Sequence, residues 1–445
     1  MTVLTEDRLP TPLKIGWGLG SLGTVSVLNV QSLLLLFFMT AVLGIAPVVA
    51  GSLLFASKLV DAVCGPLVGA RSDQTQSTMG RRRPYLLAGA LVCALAVAAI
   101  FNPPVSGTLL LVWIAVCLVV LSIGYALFNV PYIAMPAEMT TSPQERTSIM
   151  SWRIGFVGFG GLLTAFAPLL AKAAGGGRGG YGTMGLILAG LILFAMLFAF
   201  RAAKTARGNP PSTAQGGTFK RFGVVFQNRP FLLLVSAKIL QLVGLASISA
   251  SVLFLVKYVI HGDESLIAAY GVTSGLASMG SMPLWVRLGR IWDKRRIFII
   301  ACIGFALVTL TWTLASPGET VLTLILRGAG AGLFSGGLLL MGQSILPDTI
   351  DFDCRRSGER REGIYAGAYS FVEKASMALG PLLVGVILQS FGFVAKAGVV
   401  QSSHAVTGII VGASILPATL YALSIVPLLR YDLGSAPSPQ LQPAE

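Results

Sequence analysis

The chain has 445 residues, of which 54% are hydrophobic and only 11% charged. Soluble globular domains carry about 25% charged residues, so the composition excludes an ordinary soluble fold and points to a membrane protein. The formal net charge of +14 does not indicate nucleic-acid binding, because the basic residues stand in short clusters between apolar runs rather than on one face.

The N-terminal stretch MTVLTEDRLPTPLK is polar, without a basic–apolar–small-residue leader, and is expected to be retained. About 20 apolar residues cross a bilayer as a helix. Windows of that kind predict spans near 15–40, 47–70, 84–102, 108–134, 149–173 and 181–200, and then near 231–259, 266–287, 297–315, 321–346, 364–390 and 405–429. Between the two sets lies a polar segment rich in Pro, Gly and Ser. The expected organisation is an N-terminal six-helix half (1–200), a flexible linker (201–230), a C-terminal six-helix half (231–430) and a disordered tail (431–445).

Lys and Arg concentrate in the even-numbered loops, with Arg71 and Arg81 to Arg83, Arg146, the linker, Arg287 to Arg296, and Arg355 to Arg361. The odd loops are nearly bare, save Lys172, Arg178, Lys257 and Lys396. That asymmetry places both termini in the cytoplasm. After span two the chain reads PLVGARSD and then an arginine cluster; after span eight it reads PLWVRLGRIWDKRR. This weak echo suggests two related halves, the architecture of the major facilitator fold, with a substrate site between them at mid-membrane.

Five cysteines show no metal spacing. Cys64, Cys93, Cys117 and Cys302 are expected to pack as small apolar residues, and Cys354 to lie in a reducing cytoplasmic loop. Gly18, Gly20 and Gly23 match G-x-G-x-x-G, but they head a membrane span and lack the strand that a dinucleotide site needs. Phosphate-loop, serine-nucleophile and zinc-protease motifs are absent, and the two histidines lie near the outer surface. An enzyme is not indicated, no cofactor is implied, and the energy for transport is expected to come from a gradient.

An ionisable residue inside the bilayer costs roughly 3 kcal/mol on insertion scales and is a functional candidate by default. Asp61 in span two, Arg153 early in span five, and Glu373 and Lys374 in span eleven stand out. Lys238, about two turns inside span seven, is expected to snorkel to water. The bland alternative is that Asp61, Arg153 and Lys374 neutralise one another as a structural ion network.

The motifs KIGWGLGSLG, LVDAVCGPLVGARSD, GRRRPYLL, NVPYIAMPAEMT, SWRIGFVGFGG and LPDTIDFDCRRSGERREGIYAGAYSFVEKASMALG together resemble the glycoside–pentoside–hexuronide:cation symporters. This is the branch containing the melibiose carrier and, more distantly, animal lysolipid carriers. The resemblance runs from about residue 14 to 430. It implies that Asp61 matches the first aspartate of the family's D-A-x-x-D-P pattern, which holds the coupling cation in sodium-coupled members. Here the second aspartate is replaced by Gly65, and the supporting hydroxyl of span four by Ala126. A lone carboxylate suits a proton better than sodium. The family's sugar-binding acids fall on Val25 and Asn129, and its stacking tryptophan on Ile133, whereas Arg153 and Lys374 match basic positions at the cavity.

The candidate substrate contacts are therefore Arg153, Lys374, Asn129, Tyr125, Ile133 and Val25, with Asp61 and Glu373 as candidate proton-coupling sites. G-A-R-S-D-x₆-G-R-R-R resembles the superfamily's cytoplasmic loop motif. It implies a cytoplasmic gate built from Asp73, Arg81, Arg82 and Arg83, matched in the other half by Asp293, Arg295, Asp348 and Asp351. The expected function is an all-α bacterial inner-membrane carrier that brings in a sugar derivative, glycoside, hexuronide or other organic anion with a proton. The alternatives are a lysolipid translocator and an uncoupled uniporter. Its partners would be a small-molecule substrate, a coupling cation (H⁺ before Na⁺) and membrane lipid, with no nucleic acid.

Overall fold

In hydrocarbon every backbone N–H and C=O must be satisfied within the protein, so uninterrupted apolar runs become helices. The computed structural model describes residues 9–140, 142–205, 228–357, 362–396 and 399–431, and no strand occurs among them. Most of the predicted linker (206–227) and the predicted tail beyond Tyr431 lie outside the described residues. The helices of the first half are α1 (Thr11–Val42), α2 (Pro47–Gln74), α3 (Arg83–Phe101), α4 (Thr108–Met139), α5 (Gln144–Ala173, broken at Phe166) and α6 (Gly177–Ala202). Those of the second half are α7 (Arg229–Tyr258), α8 (Glu264–Ile291), α9 (Lys294–Leu314), α10 (Val321–Ser357), α11 (Glu362–Ser390) and α12 (Ser403–Leu429).

Eleven of these, among the described residues, are long and apolar enough to cross a membrane. The exception, α8, is long enough at 28 residues, but the glycines and serines of YGVTSGLASMGS through its middle lower its hydropathy. Local sequence sets the starts. Proline occupies the first turn of α1, α2 and α7, where its missing N–H is harmless. The side chains of Ser142, Asn228, Asp263, Asp293 and Ser402 accept from free N–H groups of the helices that follow.

The ends differ from expectation. The tenth span, predicted to stop at 346, continues as helix to Ser357, so Asp348, Asp351, Asp353 and Cys354 are helical rather than in a loop. Likewise α4 runs to Met139 and α2 to Gln74. Hydropathy falls where the bilayer ends, but the hydrogen-bond ladder continues through polar residues that still form helix. Cys93, Cys117 and Cys302 are buried and all five cysteines are free thiols.

Helix packing repeats between the halves. In the first, α1 packs on α5 and α6, α2 on α4, and α3 on α4 and α6. In the second, α7 packs on α11 and α12, α8 on α10, and α9 on α10 and α12. Moving six helices along the chain converts one pattern into the other, as two structural repeats require. The halves meet along α2 with α11, α5 with α8, and α1 with α7.

Glycine makes the α2–α11 seam close. A Cβ on Gly51 would lie 2.8 Å from the Pro381 carbonyl oxygen, and one on Gly385 would lie 2.4 Å from that of Pro47. Only a residue without a side chain lets backbones approach so nearly. Nearby, Phe37 meets Phe254 edge-on at 5.0 Å, and the Val48 N–H donates to Gln389 Oε1 at 3.2 Å. These contacts lie at the end of the bundle away from Leu9 and Tyr431.

Candidate functional site

Asp61 lies near the middle of α2, roughly 20 Å from either end at 1.5 Å per residue. It is 2% exposed. Lys374 on α11 reaches it from the other half, with Nζ 3.3 Å from Oδ1. Asp61 and Lys374, 313 positions apart and grouped in the sequence reading with Arg153 as an alternative ion network, form an ion pair across the half-interface.

A third charge belongs to this pair. Lys58, one turn before Asp61 on the same helix, donates to Oε1 of buried Gln31 on α1. Gln31 stands in a π-turn of α1, Val30–Leu34, one of two that widen this helix. Such turns recur at functional sites because they displace side chains from the regular stripe. Lys58 was missed in the sequence, although a lysine three residues from an intramembrane aspartate was the available signal.

Where the family pattern has a second aspartate, this chain has Gly65. A Cβ there would lie 3.6 Å from Lys374 Nζ and 4.0 Å from Val130. An acid at this position would touch the ammonium; glycine leaves room beside it.

Arg153 on α5 is half-buried, and its Nε is buried without a hydrogen-bond partner among the described residues. Its backbone carbonyl accepts from Ser21 Oγ at 3.0 Å, which ties α5 to α1 at this level. The buried Tyr125 on α4 lies within electrostatic reach of Asp61, Arg153 and Glu373, and Glu373 within reach of Lys374 and Lys238. Asn129 and Ile133 follow Tyr125 at successive helical turns on one face of α4. Ile133 is 43% exposed. Val25 packs toward α5, where a Cβ on Gly160 would lie 2.5 Å from its Cγ1.

Lys238 departs from expectation. It is 7% exposed and does not snorkel to water. Its Nζ turns into the second half, 5.9 Å from the Phe298 ring centroid and against Gly342, which supplies room for the ammonium.

The residues expected to form a gate make pairs inside their own halves. Arg82 binds Asp73 at 2.7 Å and Glu138 at 2.7 Å, and Arg81 binds Glu138 at 2.5 Å. Arg83 lies over the Phe200 ring at 4.5 Å. In the second half Lys294 binds Asp348 at 2.6 Å, Asp293 caps α9, and Arg295 donates to the Tyr431 carbonyl at 2.9 Å. Asp351 is exposed. Glu138, the acid that gathers the first cluster, was not anticipated from sequence.

At the opposite end an ion pair does cross the halves. Lys172 of α5 binds Asp263 at the start of α8 and comes within 3.7 Å of Glu264, which also meets Lys257 at 3.7 Å. Hydrogen bonding from Glu264, then from the Lys172 ammonium, holds the Asp263 carboxyl down at about 2. These groups line a cavity of about 510 Å³ with Tyr181, Tyr258 and His261. It lies at the closed end, away from Asp61.

Residues 16–435 match the family described as MFS/sugar transport protein. The "Uncharacterized symporter YnaJ" of Bacillus subtilis is 31% identical over 94% of this chain and 91% of its own length. The "Putative glycoside/cation symporter YagG" of Escherichia coli is 29% identical over 95% and 92%. Among solved structures, a bacterial homologue of the human peptide transporters PepT1 and PepT2 superposes with a TM-score of 0.69, covering 95% of this chain and 97% of that one at 15% identity, a likeness of fold alone. Twelve helices among the described residues, in two repeated halves joined by a charge pair midway along α2, are thus the frame of a carrier, and the chain belongs to the MFS/sugar transport protein family of multi-pass inner-membrane secondary transporters.

Proposed function

We propose that the chain couples inward movement of a proton to that of an anionic sugar derivative, such as a hexuronide, or a similar organic anion. The observation that carries this reading is the Asp61–Lys374 pair between the halves; Arg153 of α5, whose buried Nε has no partner among the described residues, is the second basic candidate. Lys374 pairs with Asp61, Lys58 lies one turn from it on α2, and the family resemblance puts Val25 and Asn129 where its sugar-binding acids would stand. Neutral sugars are held by carboxylates that accept from hydroxyls, whereas guanidinium and ammonium groups hold carboxylate, sulfonate or phosphate.

The pair supplies a coupling mechanism. A proton on Asp61 removes the charge that holds Lys374 and frees the ammonium for an anion arriving in the space beside Gly65. Proton and anion therefore favour each other's binding. When both leave, the pair re-forms and the empty carrier returns with its charges neutralised. Affinity for the anion should rise as pH falls. Positive-inside topology supports reading the end with Leu9 and Tyr431 as cytoplasmic. The Lys172–Asp263 bridge and the glycine seam then support an inward-facing state with its outer end shut.

The test is a thermal-shift screen of the purified carrier with methyl glucoside, methyl glucuronide, a sulfonated sugar and a lysolipid. Each is run at pH 5.5 and 7.5, with and without sodium. Stabilisation by the anionic sugars, stronger at pH 5.5 and indifferent to sodium, is expected. Arg153→Ala should weaken that binding about tenfold or more, the scale of a hydrogen bond to a charged group. Stabilisation by lysolipid alone, or by neutral glycoside equally, would overturn the substrate class.

A further inference from the structure

We infer that the cavity at the end away from Leu9 and Tyr431 is a second binding site, which takes a sugar carrying an acid group before the halves part there. This rests on the reading of the cargo as an anionic sugar.

The cavity measures about 510 Å³, within the range of about 300–1,000 Å³ typical of small-molecule sites. Both halves build it, and it is open to water, because the side chains of Lys172, Lys257 and Asp263 are 51%, 55% and 48% exposed. One bridge inside it is already made: Asp263 accepts from the Lys172 ammonium and from the Glu264 N–H. Lys257, His261 and Glu264 remain for a guest. The side chains of Lys257 and His261 make no hydrogen bond among the described residues, and Glu264 stands 3.7 Å from each lysine, beyond a hydrogen bond.

These groups suit the two ends of a sugar acid. An ammonium and an imidazole can hold its carboxylate, and a carboxylate can accept from its hydroxyls. Rings supply the wall between them, with Phe37 centred 6.4 Å from Tyr258 and 6.4 Å from Tyr181. By the family resemblance the centre lacks both features, with Val25 and Asn129 in place of acids and Ile133 in place of a stacking ring.

The backbone marks the same place. Among the described residues His261 is the only non-glycine with positive φ, at 53°. The bend is held from both sides: the Gly262 N–H donates to the Val256 carbonyl at 2.9 Å, and the Gly318 N–H to the Ile260 carbonyl at 3.0 Å. Conformations held in this way cluster at ligand sites. A guest here also stands against the Lys172–Asp263 bridge, the contact between halves that must part for this end to open.

The experiment reads occupancy of the cavity directly. Full-length carrier with Val42→Cys, at the cavity wall, is labelled in nanodiscs with a thiol reagent, and protein without that change gives the background of the native thiols. Ala41→Cys is the second reporter should Val42→Cys not fold. Methyl glucuronide should slow labelling saturably, whereas methyl glucoside and acetate should need concentrations about tenfold higher or more. Protection should persist with Arg153→Ala. Lys257→Met, or Lys257→Gln should the first not fold, should raise the half-protecting concentration about tenfold or more. Unslowed labelling overturns the inference, as does protection that Arg153→Ala abolishes or that a folded Lys257 variant leaves unchanged. Methyl glucoside or acetate protecting as well as methyl glucuronide overturns the ligand class. The two readings fail separately. Methyl glucuronide that stabilises the carrier through Arg153 but leaves labelling unchanged removes this site alone, and protection without Arg153-dependent stabilisation removes the central assignment alone.

Discussion

At the scale of single residues, the centre of the carrier is a charge balance decided by a few substitutions. By the family pattern that the sequence resembles, Gly65, Val25 and Asn129 stand where acids would be expected, while Lys58, Arg153 and Lys374 are basic. Asp61→Asn, permanently neutral, imitates the protonated state. It should bind the anion with an affinity that no longer changes between pH 5.5 and 8. It should also fail to accumulate substrate against a gradient while still exchanging it. Uptake into vesicles with an imposed pH gradient reads both properties; continued accumulation would show that the coupling proton lies elsewhere, with Glu373 the next candidate. Asp61, Arg153, Glu373 and Lys374 were legible in the sequence because charge inside an apolar run is conspicuous. Lys58 was not, because a lysine in a helix reads as a snorkelling side chain until its hydrogen-bond partner on another helix is known.

Among elements, the closeness of α2 and α11 depends on glycine. An added methyl at Gly51 would meet the backbone of Pro381 and Leu382 at 2.8 and 2.9 Å, and backbone cannot yield as a flexible side chain does. Gly51→Ala should therefore destabilise the carrier by about 1–3 kcal/mol and slow transport. Gly190→Ala on α6, where a Cβ meets nothing within 4 Å, should be neutral or slightly stabilising. Melting temperature and uptake rate measured for both variants compare the two sites; equal melting would remove the seam as a structural determinant. The helices themselves were readable from hydropathy, but their polar extensions were not. The run from Asp348 to Ser357 carries no apolar signal, and its helicity comes from continuing a ladder that the membrane-embedded part has already nucleated.

For the whole molecule, the two halves meet along α2 with α11, α5 with α8 and α1 with α7, and opening one end must part these seams there. At the end away from Leu9 and Tyr431 the cross-half bridge is Lys172 to Asp263 and Glu264. With the Asp263 carboxyl held near 2, below the ordinary carboxylate value, its contribution to closure is present above about pH 4 and fades as pH falls toward 2. Between pH 5 and 8 the bridge does not titrate. Lys172→Ala should thus raise access of a thiol reagent to a cysteine placed at Ala41, in the cavity behind the bridge, by a similar factor at pH 5.5 and 7.5. An effect confined to one pH would mean that another titrating group shares control of this end. The arginine clusters at the other end, held within their halves by Glu138 and Asp348, leave that end free of comparable bridges among the pairs described.

The sequence by itself determined the class of the protein, the number and order of its helices, and the presence of charges that lipid alone would not tolerate. Each of these is a local property: apolar length, loop charge and an ionisable residue in an apolar run are read without knowing what lies opposite. The tertiary structure alone decided which charges meet. Asp61 and Lys374 come together because two six-helix repeats face each other, and Lys58 is turned to Gln31 because α1 widens at a π-turn beside α2. Partnership between distant residues depends on helix rotation and depth set by packing, for which a hydropathy pattern carries no term.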